Sequence, residues 1–427
     1  MIDRNGLRIK GSPGQLAWRN PFAAGRARGR LDKTGPAPSL LLIITLLLLP
    51  TLASCATQPP DLVHYGSYGI QEASHGTVLA AHNLHTPFIP ASVTKVVTSL
   101  AALEILGDDF HFQTKFYLTK PGPDLWVKGG GDPLLISEAM AEIAAAFQKK
   151  GLKQLRHIYL DDSFFGLEQV TVSSSNSNNP YDASLNALGA NFTTINVQVN
   201  KDGSISSAEE QTPFLSLMHE LGSVLPPGVH RINVGRNRQT ILRHTGELLT
   251  AKLAQVGIKV TGESQPGLVP NNATPLYTHP SPDLHKLLKA MLLYSNNYTA
   301  NSLFLACGVK EYGPPATWAK ARNALSNFLS KKGLNSPQII IIDGAGLSTK
   351  NRLTASFMLE VLHHFRPHRH LLPRHKQALV KSGTMTGVYS YAGFLSENAK
   401  APAVIIILNQ ARNNREKLLE LLQKKYR

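Results

Sequence analysis

Apolar positions along the chain fall into one unbroken run and two distinct periods. The run is residues 40–49, Leu-Leu-Leu-Ile-Ile-Thr-Leu-Leu-Leu-Leu, which follows a basic stretch and stops at Pro50. Even extended to Ser54 it is about 15 residues, short of the roughly 20 that span a bilayer. It reads as the apolar segment of an export signal. Short apolar stretches at 68–70 and 77–81 then predict a strand pair joined through Ser74-His75-Gly76. Pro87 and Pro90 keep the backbone extended. From Ser92 the spacing of Val93, Val96, Val97, Leu100 and Leu103 is helical, and Gly107 is a natural end.

Through 110–276 strands and helices alternate. Strands are expected at 112–119 and 125–128, either side of Pro121-Gly122-Pro123-Asp124, and a helix at 136–149 after the Gly129-Gly130-Gly131-Asp132-Pro133 break. Further strands are expected at 158–160 and 195–199, separated by a Ser/Asn-rich loop, then a helix over 240–256 and a strand at 258–260. A loop rich in Pro, Asn and Thr, 266–280, closes this section. Ser281-Pro282-Asp283 predicts a helix start with Ser281 as the cap. Leu284, Leu287, Leu288, Met291 and Leu292 bury one face of that helix. Strands at 339–342 and 403–408 and a final helix through Leu418, Leu419 and Leu422 complete the pattern.

Composition changes the picture in two respects. The 427 residues are 42% hydrophobic and 17% charged, which suits two or three folded domains. Of the net charge of +16, residues 1–38 carry +6, leaving +10 on the rest. After the apolar run stands Leu52-Ala53-Ser54-Cys55, which resembles the lipobox of bacterial lipoproteins; the alternative is ordinary cleavage near Ala56. Either way a body of 372 residues, 56–427, is expected outside the cytoplasm, anchored to a membrane if Cys55 is lipidated. In an organism with two membranes, Ala56 after the cysteine favours the outer one by analogy with lipoprotein sorting. Nucleic acid is then a poor candidate partner, and the basic balance suits an anionic wall or membrane surface. Cys55 and Cys307 are too few for a disulfide framework or a cysteine zinc site, and Cys307 reads as a small core residue.

Three polar clusters carry candidate chemistry. In Ser92-Val93-Thr94-Lys95, residues three apart share a helical face, so the amine can reach the hydroxyl; a partly desolvated lysine can serve as the base a serine nucleophile needs. By spacing alone, a capping serine and a surface lysine are the plainer reading. In Ser295-Asn296-Asn297 a hydroxyl and an amide two residues apart can both face a cleft, or simply end a helix. Lys381-Ser382-Gly383-Thr384 offers a cation and hydroxyls around a glycine that leaves room for a ligand, or an ordinary strand edge. Metal chemistry finds little support: His219-Glu220 lacks the second histidine of a zinc protease, and His363, His364, His368, His370 and His375 lie among arginines, a solvated basic surface. No cofactor or metal is implied.

Together and in this order, the clusters match the S-x-x-K, S-D-N and K-T-G motifs of penicillin-recognising serine enzymes. Phe88-Ile89-Pro90-Ala91-Ser92, Leu125-Trp126-Val127-Lys128-Gly129-Gly130-Gly131-Asp132-Pro133, Asp161-Asp162-Ser163-Phe164-Phe165 and Asp343-Gly344-Ala345-Gly346-Leu347-Ser348 extend the likeness over roughly 62–410. The chain resembles the D-alanyl-D-alanine carboxypeptidase/endopeptidase family, the low-molecular-mass class C penicillin-binding proteins (peptidase family S13).

The resemblance implies an α+β fold: a β-lactamase/transpeptidase-like domain, antiparallel sheet flanked by helices, from 56–109 and 278–427, with an α/β domain inserted at 110–277. Residues 1–55 form the lipoprotein-type signal segment. It further implies that Ser92 attacks the D-Ala–D-Ala carbonyl of peptidoglycan stem peptides, or a β-lactam, with Lys95 as base. Ser295 would relay the proton and Asn297 hold the substrate amide. Lys381 would tune Ser295 electrostatically and, with Thr384 and with Ser382 and Gly383 on the same strand, bind the terminal carboxylate, and the N–H groups of Ser92 and Thr384 would form an oxyanion hole. Asn179-Pro180-Tyr181-Asp182 resembles the stretch whose acid reads the free amine of the peptide's diamino acid; an Asx-turn is the plainer alternative for Asp182.

Three departures qualify the likeness. Ser382 replaces the usual threonine, Thr349 stands where an arginine is usual, and the middle section is short. A β-lactamase on the same scaffold would need an acidic water-activating motif, which the chain lacks. An inactive wall-binding lipoprotein would have no need of all six polar motif residues.

Overall fold

The computed structural model describes residues 58–74, 76–167 and 177–426. The leader with Cys55, and most of the Ser/Asn-rich loop before Asn179, lie outside the described residues. The first hairpin forms where alternation predicts it: β1 (Gly66–Gln71) pairs antiparallel with β2 (Val78–His82). After Pro90 the chain makes a single 3-10 turn, Ala91–Val93, before α1 (Thr94–Leu106), which Gly107 ends at φ 85°. Ser92 thus sits in the tighter turn that leads into the helix.

The middle section builds separate sheets and its own core. β3 (Gln113–Thr119) and β4 (Asp124–Lys128) pair antiparallel, α2 (Ser137–Lys149) follows, and then β5 (Gln154–Leu155) and β6 (Ile158–Asp161). Next come β7 (Thr194–Val199), β8 (Ile205–Ser207), α3 (Ser216–Gly222), β9 (Gly228–Asn233) and α4 (Arg238–Gln255). β10 (Lys259–Val260), β11 (Ser264–Pro266) and β12 (Thr274–Pro280) end the section. A five-stranded sheet runs β11-β6-β4-β3-β12, parallel at β11/β6 and β6/β4, and β8-β7-β9 form a second sheet. Phe116, Phe147, Ile158, Leu160, Leu242 and Leu249 belong to one apolar cluster beneath them.

Two expectations fail here. Residues 274–280, read as loop, form β12 against β3. Pro275 and Pro280 are tolerated because β12 is an edge strand, where a missing N–H costs no ladder bond on the open side. The helix after it is capped by Asp283, which accepts from the Lys286 N–H at 2.9 Å. Ser281 instead accepts from the Phe112 N–H at 3.0 Å, tying the end of the middle section to its start.

Beyond that point helices dominate: α5 (Leu284–Tyr294), α6 (Asn297–Tyr312), α7 (Trp318–Lys331) and α8 (Ala355–Phe365). The chain then returns to the first sheet through β13 (Arg374–His375), β14 (Ala378–Met385), β15 (Val388–Phe394) and β16 (Ala403–Leu408), and ends in α9 (Arg415–Tyr426). The order β13-β14-β15-β16-β1-β2 is antiparallel throughout, so the N-terminal hairpin completes a sheet made mostly by the C-terminus. β16 is buried along its whole length. Ile405 and Ile407 face the helical core with α1, α5, α6 and α8, while Val404, Ile406 and Leu408 face the core with Leu418, Leu419 and Leu422 of α9.

Residues 339–342 are not a strand; only Ile340 bridges Arg352. The Ile342 N–H is drawn to Asn351 Oδ1 at 2.7 Å by the loop around Asp343, which bends the chain out of any ladder. No helix of the described residues is long and apolar enough to cross a membrane. Phe147 is fully buried and meets Phe116 edge-on at 5.2 Å. Phe147→Ala is expected to cost about 3–5 kcal/mol, read as a lowered urea midpoint.

Candidate active site

Burial of a lysine amine organises this site. Lys95, on the first turn of α1, is fully buried, and its Nζ lies 2.9 Å from Ser92 Oγ, 2.8 Å from Asn297 Oδ1 and 2.8 Å from the Ala345 carbonyl oxygen. Desolvation, then the neighbouring Lys381 charge, hold its pKa well below the usual lysine range, with Asp343 pulling the other way. A neutral amine has two N–H donors and one lone pair. The amide and carbonyl oxygens cannot donate, so they take the two N–H groups, and the lone pair is left for the Ser92 hydroxyl proton.

Each of the three contacts is set by a local device. Ser92 and Lys95 come together because the 3-10 turn runs straight into α1, with Thr94 Oγ1 donating to the Ala91 carbonyl at 2.9 Å. Ala91 itself has φ 52°, a left-handed conformation that a non-glycine residue holds only when its surroundings impose it. Asn297 arrives through a two-residue junction. Ser295 closes α5 in the left-handed region at φ 55°, and Asn296 caps α6 by accepting from the Thr299 N–H at 2.9 Å. Ser295 and Asn296 thus stand at the junction of α5 and α6, and Asn297 reaches the lysine.

The Ala345 carbonyl is placed by Asp343. This buried carboxylate accepts from the N–H groups of Ala345, Leu347 and Ser348 at 3.0, 3.0 and 2.9 Å and from Asn351 Nδ2 at 2.9 Å. Four donors on one acid fold the loop into a fixed nest. Gly346 is required within it: its φ is +79°, and a Cβ there would lie 2.0 Å from the Ala91 oxygen.

On the far side β14 presents Lys381, Ser382, Gly383 and Thr384. A Cβ on Gly383 would lie 2.9 Å from the Ser92 nitrogen and 2.2 Å from Ser390 Oγ, so the missing side chain is what lets the strand approach Ser92. Ser390 Oγ fixes the approach by donating to the Pro90 carbonyl at 2.6 Å. Lys381 is buried and donates to the Ser382 carbonyl at 2.9 Å; desolvation, then the Arg415 charge, lower its pKa to about 8. No hydrogen bond joins the Ser295 hydroxyl to Lys95 or Lys381.

The middle section reaches the site at two points on the first turn of α6. Tyr298, one residue after Asn297, donates from its hydroxyl to the Asn186 carbonyl at 2.9 Å. The Asn186 amide donates to Asp162 at 2.7 Å, and Asp162 pairs with Arg238. Asn297 Nδ2 in turn donates to the Tyr181 carbonyl at 3.3 Å, which brings the segment of Asp182 beside Asn297. The Asp182 carboxylate accepts from Ser177 Oγ.

The sequence reading overlooked two residues. Asp343 lies within Asp343-Gly344-Ala345-Gly346-Leu347-Ser348, where local pattern does not announce its role in folding the loop. Arg415 was not singled out, although a cation in the first helical turn opposes the helix dipole and was a usable signal. Cys307 is buried and its thiol is pushed up to about 12, chiefly by desolvation. Among the described residues no cluster of three or more His, Cys, Asp or Glu side chains is arranged to hold a metal ion.

A model of the D-Ala-D-Ala carboxypeptidase 3 (S13) family matches residues 48–216 and 218–373. The chain belongs to this family. As a member it is an enzyme of the serine-type D-Ala-D-Ala carboxypeptidase class. D-alanyl-D-alanine carboxypeptidase DacB of Haemophilus influenzae is 26% identical to it, over 88% of this chain and 92% of that protein. The D-alanyl-D-alanine carboxypeptidase of Actinomadura sp. strain R39 is also 26% identical, over 69% of this chain and 63% of its own length. The fold is similar to that of penicillin binding protein 4 (dacB) from H. influenzae, with a TM-score of 0.72 and 22% identity over 87% of this chain and 98% of that structure. A second structure of that protein, complexed with a β-lactam, gives a TM-score of 0.66 and 22% identity over 86% and 97%.

The crowding around Gly383 makes a direct prediction for this family site. Gly383→Ala is expected to push β14 away from Ser92 and slow covalent labelling by a fluorescent penicillin about 100-fold, since a displacement near 1 Å is enough for that. Comparing labelling rates with thermal midpoints checks that the loss exceeds any general destabilisation.

Proposed function

We propose that the protein hydrolyses the terminal D-Ala–D-Ala bond of peptidoglycan stem peptides through an ester on Ser92. The observation that carries this reading is the buried Lys95 amine held 2.9 Å from Ser92 Oγ, with its two other contacts on atoms that cannot donate. Ser92 Oγ attacks the penultimate D-Ala carbonyl and its proton passes to Lys95. The oxyanion is held by the N–H groups of Ser92 and Thr384, where one such donor is worth about 3 kcal/mol. Collapse breaks the peptide bond, and Ser295 passes the proton to the leaving D-alanine amine. Water then attacks the ester, releasing the shortened peptide and restoring Ser92.

Asn297 holds the substrate amide, Lys381 and Thr384 meet the terminal carboxylate, and Ser382 and Gly383 let the peptide lie along β14. Asp182, on the segment that touches Asn297, reads the amine of the diamino acid. A β-lactam presents the same carbonyl and carboxylate and acylates Ser92 without a departing fragment; the β-lactam complex of the H. influenzae protein supports this. Residues 110–277 act as an inserted domain framing the cleft. The enzyme works outside the cytoplasm, in the periplasm of an organism with two membranes, where its substrate lies, and is tethered by a lipid on Cys55.

Purified residues 56–427, incubated with a fluorescent penicillin and with a D-Ala–D-Ala peptide, should keep a covalent label and release D-alanine. Ser92→Ala should abolish the label, and no label on the unaltered protein would sink the reading. Rapid loss of the label would indicate a β-lactamase instead. Lys95→Ala should slow acylation by about 10²–10⁴, the usual worth of a general base. Lys381 carries its charge below its pKa and loses it above, so kcat/KM for the peptide should fall as pH rises through about 8. Cys55→Ser in the full chain should move the protein from the membrane fraction to the soluble one.

A further inference from the structure

We infer that Arg415 is the specificity-determining residue that selects substrates ending in a free carboxylate, acting together with Thr384. This rests on the peptidase reading and divides a task given there to Lys381. The Nη1 group of Arg415 donates to the Gly383 carbonyl at 2.6 Å and to Thr384 Oγ1 at 2.8 Å, and its guanidinium carbon lies 4.7 Å from the Tyr391 ring centre. It therefore lies against β14, the strand that approaches Ser92, beside an exposed hydroxyl.

Three observations carry the inference. An N–H donated into Thr384 Oγ1 turns the hydroxyl's own proton away from Arg415, leaving it as a donor to a ligand. Among the described residues no carboxylate forms an ion pair with Arg415. Its neighbour Glu416 is engaged by Lys376 at 2.6 Å, His375 at 3.0 Å and the Tyr391 hydroxyl at 3.0 Å. Lys381 and Arg415 also bring two cationic groups to one strand, where the Arg415 charge lowers the Lys381 pKa.

Such a set of cations is unfavourable until an anion joins it, and the C-terminal carboxylate of the substrate is that anion. A planar guanidinium can meet both carboxylate oxygens, which the point charge of a lysine cannot. Lys381, more deeply buried and within electrostatic reach of Lys95, is then free to set the proton transfer.

The test compares a D-Ala–D-Ala peptide with its C-terminal amide. Arg415→Gln is expected to lower the acid-over-amide preference in kcat/KM by about 10-fold or more, the worth of a charge-assisted hydrogen bond, mainly through KM for the acid. With the Arg415 charge gone, the alkaline limb governed by Lys381 should also move above its position near pH 8. Arg415→Lys keeps the charge but not the fork, so it should hold the alkaline limb and lose part of the preference. An equal loss on both peptides, or an unmoved alkaline limb, overturns the inference. If Arg415→Gln does not fold, an Arg415→Lys variant with the full preference of the unaltered enzyme overturns it instead. Failure of the unaltered protein to release D-alanine would sink the peptidase reading itself.

Discussion

A lysine amine taken wholly out of water must be neutral or well supplied with acceptors, and Lys95 meets this condition without a carboxylate bonded to it. Its partners come from three stretches of the chain: the turn before its own helix, the start of α6 and the loop after Ile342. Bringing them together requires α1 and α6 to pack side by side in the helical core, and the loop to be folded by Asp343. The absence of a bonded acid matters chemically, because such an acid would raise the pKa and keep the amine charged.

Close backbone approach is the second constraint. Gly383 and Gly346 let main chain pass where a methyl group would collide with Ser92 or Ala91, and Ala91 and Ser295 accept left-handed conformations beside the reactive groups. Strain of this kind is of order 1–3 kcal/mol per residue and persists only where packing imposes it. Here the imposing structure is β14 against β15 on one side and the α5–α6 junction on the other.

The middle section adds a frame to this centre. It has its own apolar core, and Tyr298, Asn186 and Asp162 join it to α6 by buried hydrogen bonds. The Tyr181–Asp182 segment touches Asn297 and Arg415 touches Thr384, so elements outside the core that holds the amine flank β14 on both sides of the proposed substrate path.

Residues near one another in sequence determined a good deal by themselves. Period and turn residues marked the first hairpin, α1, α2, α4, α5 and the run that became β16, and the spacing of Ser92 and Lys95 permitted their contact. What they could not decide was whether that contact exists, since S-x-x-K is equally a cap and a surface lysine. The all-round burial of α6 erased the one-sided periodicity that would have revealed a helix. β12 is a strand only because β3 offers it hydrogen bonds, and 339–342 is not one because the Asp343 loop takes its backbone elsewhere. Asn297, Ala345, Gly383 and Arg415 acquire their chemistry from partners tens to hundreds of residues away. Local pattern set the elements; the desolvation of Lys95 and its acceptors exist only in the packed molecule, because burial is a property of tertiary contact.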